Sequence, residues 1–561
     1  MTNSYFFRIF TERKNLAEMK HYLKKLEEST KKCWERRSLC NYGGEAYTYG
    51  RVATLIEQMH IAFGSIGIKK GDKIALCARN SARWAIAFWS ANTYEAVAVP
   101  ILADFTPDSI MNITDHSDSL VLFTDADIFK NLDTTRLPKL KAIINVADFS
   151  LLYACNEDVK KAYNSHEEVF ADKYPAGFTP ADVSYPTDNW DDVAIINYTS
   201  GTTSDPKGVM LTYKAMSDTD EFSNAHFPNT PEYTMISMLP LAHMYGLAIE
   251  FIHPNVDGVA VYFLGKTPTP TTLMKAMAEV KPYMVVTVPL VMEKIYKKSL
   301  KPALESGPVK VLTAIPGIKG LIYKKVRQKL ITAFGGKVQC FIMGGAALNP
   351  EVEACFKKIK LPYTVGYGMT EACPLLGFEW WEDFVPGSCG KPVHDLRIDS
   401  EDPISVPGEI QVRGDNITVG YYKNPEANAA AYTEDGWFRT GDLGVLDTDG
   451  NIFIRGRIKS MFLSASGQNV YPEEIEAVVG YIDGVAECLA VWRGDRIAVL
   501  VYPDADFTSA MGAEEKADWA EKLRLSANKL LPSYSQIAKV ELQDKPFEKT
   551  PKMSIKRFLY K

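Results

Sequence analysis

The chain has 561 residues, 46% of them hydrophobic and 24% charged, with a formal net charge of −6. That is ordinary for a globular protein of about two to four domains, and it gives no support for a nucleic-acid partner, which would favour a basic face. The nine cysteines form no Cys-x-x-Cys pair and no His/Cys cluster of zinc spacing, so reduced thiols in a cytoplasmic protein are expected.

Residues 1–45 are charged and partly helical in pattern. The stretch Phe6-Phe-Arg-Ile-Phe10 is too short and too interrupted by charge for a signal peptide. The mixed-charge run 20–32 predicts a solvated helix face. Helix and strand patterns then alternate: helix over 52–66, strand 74–77, helix 82–91, strand 96–102, helix 108–116 and strand 119–123. This alternation predicts an α/β fold with an open, mostly parallel sheet covered by helices. In such sheets ligands gather at loops beyond the strand carboxyl ends, which suits the strand at 193–197 and the loop that follows it.

Residues 127–190 are poorer in pattern and read as a connecting region. A second alternating stretch runs over 234–364, where the apolar segment 283–292 contains Pro289 and reads as a buried strand and turn. No apolar run approaches the ~18 residues of a membrane span. Short strands and Gly/Pro punctuation follow residue 387, giving a small β-rich subdomain over 409–422, with a hairpin turn at Asp447-Thr-Asp-Gly450. From residue 457 a small α+β domain is expected, with helices at 472–480 and 514–530 and strands at 485–492, 497–502 and 537–542.

Chemistry is concentrated in a few segments. Tyr198-Thr-Ser-Gly-Thr-Thr-Ser-Asp-Pro-Lys-Gly208 combines hydroxyls, glycine and a lysine. Backbone N–H groups in such a loop can close around phosphate oxygens while a lysine covers the remaining charge. Its spacing is not that of a Walker loop. Further segments follow in order: Pro240-Leu-Ala-His-Met-Tyr-Gly246, Tyr367-Gly-Met-Thr-Glu371, Asp435-Gly-Trp-Phe-Arg-Thr-Gly-Asp442 and Gly456-Arg-Ile-Lys-Ser460, with a looser one at Thr550-Pro-Lys-Met-Ser-Ile-Lys-Arg557.

These segments, in this order, resemble the adenylate-forming superfamily of acyl-CoA synthetases, luciferases and nonribosomal-peptide adenylation domains. The resemblance runs from about residue 47 to the end. It implies a large multi-subdomain N-terminal domain, 1–456, and a small mobile C-terminal domain, 457–561, that turns about a hinge near Lys459. It also implies ATP and CoA as substrates with Mg²⁺ as cofactor.

Residue by residue, the resemblance assigns Thr199, Ser200, Gly201, Thr202, Thr203 and Lys207 to the ATP phosphates. Glu371 would be the Mg²⁺ ligand, with Thr202 as its hydroxyl helper, since Mg²⁺ takes carboxylate, water and phosphate oxygens. Gly345 and Ala346 would line the base pocket, with Tyr367, Gly368 and Thr370 alongside and Tyr367 stacked on adenine. Asp442 would accept the ribose hydroxyls, Arg457 would reach the ribose, and His243 would lie beside the acyl carboxylate. The remaining histidines read as structural or surface residues. Ser204 stands where the family usually has Gly, a position where glycine can permit φ above zero.

In long-chain relatives the C-terminal motif places a lysine where this chain has Ser554. Lys552 and Lys556 flank it. Residues two apart on an extended segment share a side, so either can take over the adenylation role. Lys552 is the first choice, because Lys556 already matches the motif's second lysine.

Leu239–Gly246 and Pro289–Tyr296 resemble long-chain fatty-acyl-CoA synthetases. No aspartate lies between residues 239 and 247 to pair a substrate ammonium, although Glu250 follows. A fatty acid is thus the expected acid, and such a substrate is compatible with peripheral membrane contact. The alternatives are a fatty-acyl-AMP ligase loading a carrier protein, and a catalytically weakened binding or regulatory relative.

Overall fold

The computed structural model describes residues 19–560, apart from 200–205, 228, 266–269, 308, 310, 312–314, 316–317, 464–468, 495 and 550–554. The alternation over 48–124 builds the centre of an eight-stranded sheet. Its strands run in spatial order Gly420–Tyr421, Lys207–Thr212, Val193–Thr199, Val97–Pro100, Lys73–Cys77, Ser119–Thr124, Ala142–Asn145 and Leu151–Ala154. From Val193–Thr199 to Ala142–Asn145 neighbours are parallel, and both flanks are antiparallel.

Parallel neighbours need crossover connections, which the helices Ala82–Thr93 and Pro107–His116 help provide, while helix Tyr49–Ser65 leads into the strand Lys73–Cys77. Each of these helices starts at a hydroxyl cap. The side chains of Thr48, Ser81 and Thr106 accept from the amides of Arg51, Trp84 and Ser109. Such a bond satisfies one of the otherwise orphaned N–H groups of the first turn.

Residues 127–190 are more than a connection. They add the strands Ala142–Asn145 and Leu151–Ala154 and the helices Glu157–Asn164 and His166–Lys173. The Asn and Asp residues that blurred the pattern act as caps and turn formers. Asn156 caps the first of these helices, and Asp148 accepts from the Ser150 amide at a turn.

The run 20–32 also departs from expectation. Helix Tyr22–Lys32 buries Tyr22, Leu23, Lys25, Leu26, Glu27 and Thr30. Lys25 Nζ lies 2.5 Å from Asp220 Oδ2 and 2.8 Å from Asp257 Oδ1, and His253 Nδ1 lies 2.8 Å from Asp220 Oδ1. Burial opposes charge on Lys25, but the Asp220 and Asp257 carboxylates outweigh it and hold the ammonium above the usual lysine range. A charge pattern along one helix cannot report a partner 195 residues away.

A four-stranded sheet (Thr234–Ser237, Ala260–Phe263, Arg37–Asn41, Ala46–Thr48) lies beside a parallel three-stranded one (Met284–Thr287, Cys340–Met343, Tyr363–Val365). The apolar segment at 283–292 is strand Met284–Thr287 followed by helix Pro289–Ile295, with Pro289 in its first turn where a missing N–H costs little. The β-rich part is an antiparallel sheet of Asp395–Asp399, Gly408–Arg413, Phe438–Leu446 and Ile452–Arg457. Its last hairpin turns where Asp447 Oδ1 accepts from the amides of Asp449 and Asn451.

Beyond it, helix Pro472–Val479, helix Ala513–Asn528 and the strands Val485–Arg493, Arg496–Pro503 and Ile537–Leu542 enclose a core of their own around Ile475, Val499 and Leu523. No described helix is long and apolar enough to cross a membrane.

Removing Lys25 leaves two carboxylates buried together without their cation. Lys25→Met is expected to destabilise the protein by about 3–5 kcal/mol, the usual effect of breaking a buried ion pair. The check is the urea midpoint at unchanged slope; an unshifted midpoint would show that the network adds nothing to stability.

Candidate active site

The loop at 199–207 is held at its two ends by an antiparallel pair. Thr199 faces Lys207 and Tyr198 faces Gly208 in register. Gly208 is required here, because a Cβ would come within 2.9 Å of Ile196 Cγ2 and 3.1 Å of the Tyr198 ring. His116 Nδ1 lies 2.7 Å from the Tyr198 hydroxyl, so one of the histidines read as structural supports the base of this loop. Ser200, Gly201, Thr202, Thr203 and Ser204, with Lys552, lie outside the described residues.

Glu371 sits in a short 3₁₀ turn, Thr370–Ala372, and is buried. Its backbone carbonyl accepts from the Thr418 amide, and its Oε1 accepts from the Tyr421 hydroxyl at 3.1 Å. Tyr421 lies on the strand that flanks 207–212, and Lys207 Nζ lies 5.0 Å from the centre of its ring. Tyr421 thus joins the loop lysine to the glutamate. Sequence reasoning missed it, because its value depends on a strand pairing 212 positions from residue 209.

Tyr367, Asp442 and Arg457 meet in a second cluster. The Tyr367 hydroxyl donates to Asp442 Oδ2 at 2.7 Å, and Arg457 Nε lies 3.0 Å from Asp442 Oδ1. Asp442 and Arg457 are cross-strand partners in the Phe438–Leu446/Ile452–Arg457 hairpin. Burial pushes the Asp442 carboxyl above its usual range, and the Arg457 charge pulls the other way. Burial also pushes the Tyr367 phenol well up, so it is a hydrogen-bond donor at neutral pH.

Tyr367 also lines a cavity of about 170 Å³. His243, Gly345, Tyr367, Gly368 and Thr370 line it, and its apolar walls include Phe227, Ile249, Ile342, Leu375 and Phe378. Two close approaches shape it. A Cβ on Gly368 would sit 1.9 Å from the Pro374 carbonyl oxygen, and one on Gly344 would sit 3.1 Å from the Tyr245 ring. Ala346 is exposed and is not among the lining residues. Lys459 is exposed just after strand Ile452–Arg457. Lys556 Nζ lies 3.5 Å from Glu548 Oε2, a partner within the C-terminal part of the chain.

The turn that carries His243 is held by three side chains. Glu250 Oε2 accepts from the amides of Met238 and Leu239, each at 2.9 Å, and from the Ser237 hydroxyl at 3.1 Å. Asn80 donates to the Leu239 carbonyl and accepts from the Leu241 amide. Asn197, on the strand leading into the 199–207 loop, donates to the Ala242 carbonyl.

Glu250 is fully buried, its Oε1 has no hydrogen-bond partner among the described residues, and burial pushes its carboxyl well above the usual range. A neutral acid suits such a place better than an unpaired charge. The sequence carried only one signal for this role, a glutamate inside the apolar run 247–252.

The AMP-binding enzyme family model matches residues 26–422. The chain belongs to the AMP-binding enzyme family. It is therefore an adenylate-forming ligase, and the family covers the phosphate-loop, His243 and Glu371 segments in a single match. The long-chain-fatty-acid–CoA ligase FadD15 of Mycobacterium bovis is 29% identical over 458 residues, spanning 76% of this chain and 72% of that relative. Long-chain-fatty-acid–CoA ligase 5 of Rattus norvegicus is 28% identical over 460 residues, spanning 74% of this chain and 65% of the relative.

Among solved structures, the anthranilate CoA ligase AuaEII in complex with anthranoyl-AMP superposes with a TM-score of 0.76 at 19% identity, covering 97% of this chain and 96% of the other. The o-succinylbenzoate CoA synthetase MenE of Bacillus subtilis, with ATP and magnesium ion, gives 0.72 at 20% identity, covering 95% and 98%. At such identities the likeness is one of fold.

Glu250→Gln keeps a carbonyl oxygen for its three donors and carries no charge, so activity close to wild type is expected. Glu250→Leu leaves two buried amides unpaired and should loosen the His243 turn, raising KM for the acid about tenfold or more. Steady-state kinetics on both variants checks this; equal losses in the two would show that the carboxylate acts as a charge.

Proposed function

We propose that the protein activates a long-chain fatty acid with ATP and transfers the acyl group to CoA, releasing AMP and pyrophosphate. The observation that carries this reading is the cavity, whose lining joins the apolar side chains of Phe227, Ile249, Leu375 and Phe378 to His243 and to Tyr367, itself bonded to Asp442. Apolar walls suit an alkyl chain, since each buried CH₂ contributes about 0.8 kcal/mol. The long-chain ligases of Mycobacterium and rat, though under 30% identical, support the same choice.

A carboxylate is a poor acyl donor, because its leaving group would be oxide. Attack of the carboxylate oxygen on the α-phosphorus forms a mixed anhydride and expels pyrophosphate. Thiol attack on the acyl carbon then expels AMP. The protein's task is positioning and charge neutralisation. Thr199 and Lys207, with 200–203 between them, would hold the phosphates. His243 would face the acid, Asp442 and Arg457 the ribose, and Gly345, Tyr367, Gly368 and Thr370 the base.

Glu371 fits a Mg²⁺ ion: it is a buried oxygen donor next in the chain to Thr370 of the cavity lining, and its Oε1 is steered by a neutral hydroxyl. Bound there, Mg²⁺ would neutralise phosphate charge. Residues 457–561 would act as a mobile unit turning about Lys459, bringing Lys552 or Lys556 to the site. The Lys556–Glu548 ion pair is half exposed and weak enough to exchange for a stronger anionic partner.

With CoA present, a series of fatty acids from short to long should give AMP and pyrophosphate, fastest for long chains; release of ADP and phosphate would defeat the reading. Glu371→Gln should cut ATP–pyrophosphate exchange by on the order of 10²-fold, because about 3 kcal/mol of transition-state charge stabilisation is at stake. Normal exchange in that variant would remove the metal role. Exchange in Lys552→Ala, Lys556→Ala and the double variant decides between the lysines, and near-wild-type rates in all three would exclude both.

A further inference from the structure

Strand Val193–Thr199 carries a side chain that folding alone does not account for. Ala194 to Tyr198 are all buried, so both faces of the strand are covered. Strands covered on both faces read as apolar runs, and Ala194, Ile195 and Ile196 follow that rule. Asn197 does not. It is fully buried, and its Oδ1 has no hydrogen-bond partner among the described residues. An unsatisfied buried acceptor lowers stability, and a β-branched apolar residue would suit the strand better. Departures of this kind from local fitness gather at functional sites.

The other end of the amide is in use. Asn197 Nδ2 donates at 2.9 Å to the carbonyl of Ala242, 45 positions away. Ala242 directly precedes His243, which lines the cavity. Of the three side chains that hold this turn, Glu250 reaches Met238 and Leu239, and Asn80 reaches Leu239 and Leu241. Asn197 is the one bonded next to His243. It is also the one that stands on the strand running into the 199–207 loop, two residues before Thr199.

We propose that Asn197 is a positioning residue that couples nucleotide binding to acid binding. The inference rests on the ligase reading, in which the 199–207 loop holds phosphates and His243 faces the acid. Asn197 does not line the cavity and acts through Ala242. Phosphates gripped by the loop fix the end of the strand. That end carries the Asn197 amide, and the amide holds the turn before His243. Two ligands that need the same strand end fixed share one ordering cost, so the first to bind tightens the second, and by the same factor in either order. The coupling suits the chemistry, because a carboxylate is then held for attack when an α-phosphorus is present to receive it.

The test is calorimetric titration of the full chain with myristate, with and without Mg²⁺ and the non-cleavable analogue α,β-methylene-ATP. In the wild-type protein the nucleotide should tighten myristate binding about fivefold or more. Asn197→Val should bring that factor close to one. Its urea midpoint should stay near wild type, because the change removes one unpaired acceptor, Oδ1, and creates another at Ala242. Asn80→Ala, on the same turn but off this strand, should weaken myristate binding with and without nucleotide alike and leave the factor unchanged. Asn197→Ala is the second variant should the valine not fold. Loss of the fold in both would assign the amide to stability and overturn the proposal. An unchanged factor in Asn197→Val, an equal loss of coupling in Asn80→Ala, or a wild-type protein that binds both ligands independently would overturn it too. A wild-type protein that binds no nucleotide or no myristate would instead defeat the ligase reading itself, and the proposal with it.

Discussion

The antiparallel pairing of Val193–Thr199 with Lys207–Thr212 is the constraint on which the site depends. Its register places Thr199 opposite Lys207, so the loop between them must close over a fixed short span. The second edge of Lys207–Thr212 pairs with Gly420–Tyr421, and that pairing delivers Tyr421 to Glu371 and lets Thr418 hold the Glu371 carbonyl. One strand thus positions the loop proposed to hold phosphate on one side and Glu371 on the other. Gly208 makes the pairing possible, because any larger residue would press on Ile196 and Tyr198.

Buried polar groups are handled in two ways. Asp442 is paired with Arg457 and Tyr367, and Lys25 with Asp220 and Asp257. Glu250 has no cation beside it and is given three donors, which suits a neutral carboxyl. The distinction matters for function. A paired charge keeps its field local, and the neutral acid adds rigidity near His243 without a competing negative charge beside a substrate carboxylate.

The C-terminal part meets the rest through specific side chains as well as through the chain itself. Tyr481 lies 5.0 Å from Lys297 Nζ and 5.9 Å from Lys301 Nζ, measured to its ring centre, and it packs against the core that the 318–333 helix covers. Within the C-terminal part, Arg557 pairs with Glu476, where burial pushes the carboxyl up to about 7 against the pull of the arginine.

Much of this was legible in the residue order. The alternation over 48–124, the helices and strands of 472–542 and the order of the motifs follow from periodicity and from residue types that phosphate and carboxylate chemistry require. The sequence by itself determined the α/β class, the family and the residues proposed to touch ATP. Tertiary structure alone decided the antiparallel clamp at the loop, the Tyr421–Glu371 contact, the Glu250 and Asn80 brackets behind His243, and the burial of Lys25. The reason is physical: local pattern shows which face of an element avoids water, whereas register, pairing and burial are set by groups that folding brings from hundreds of residues away.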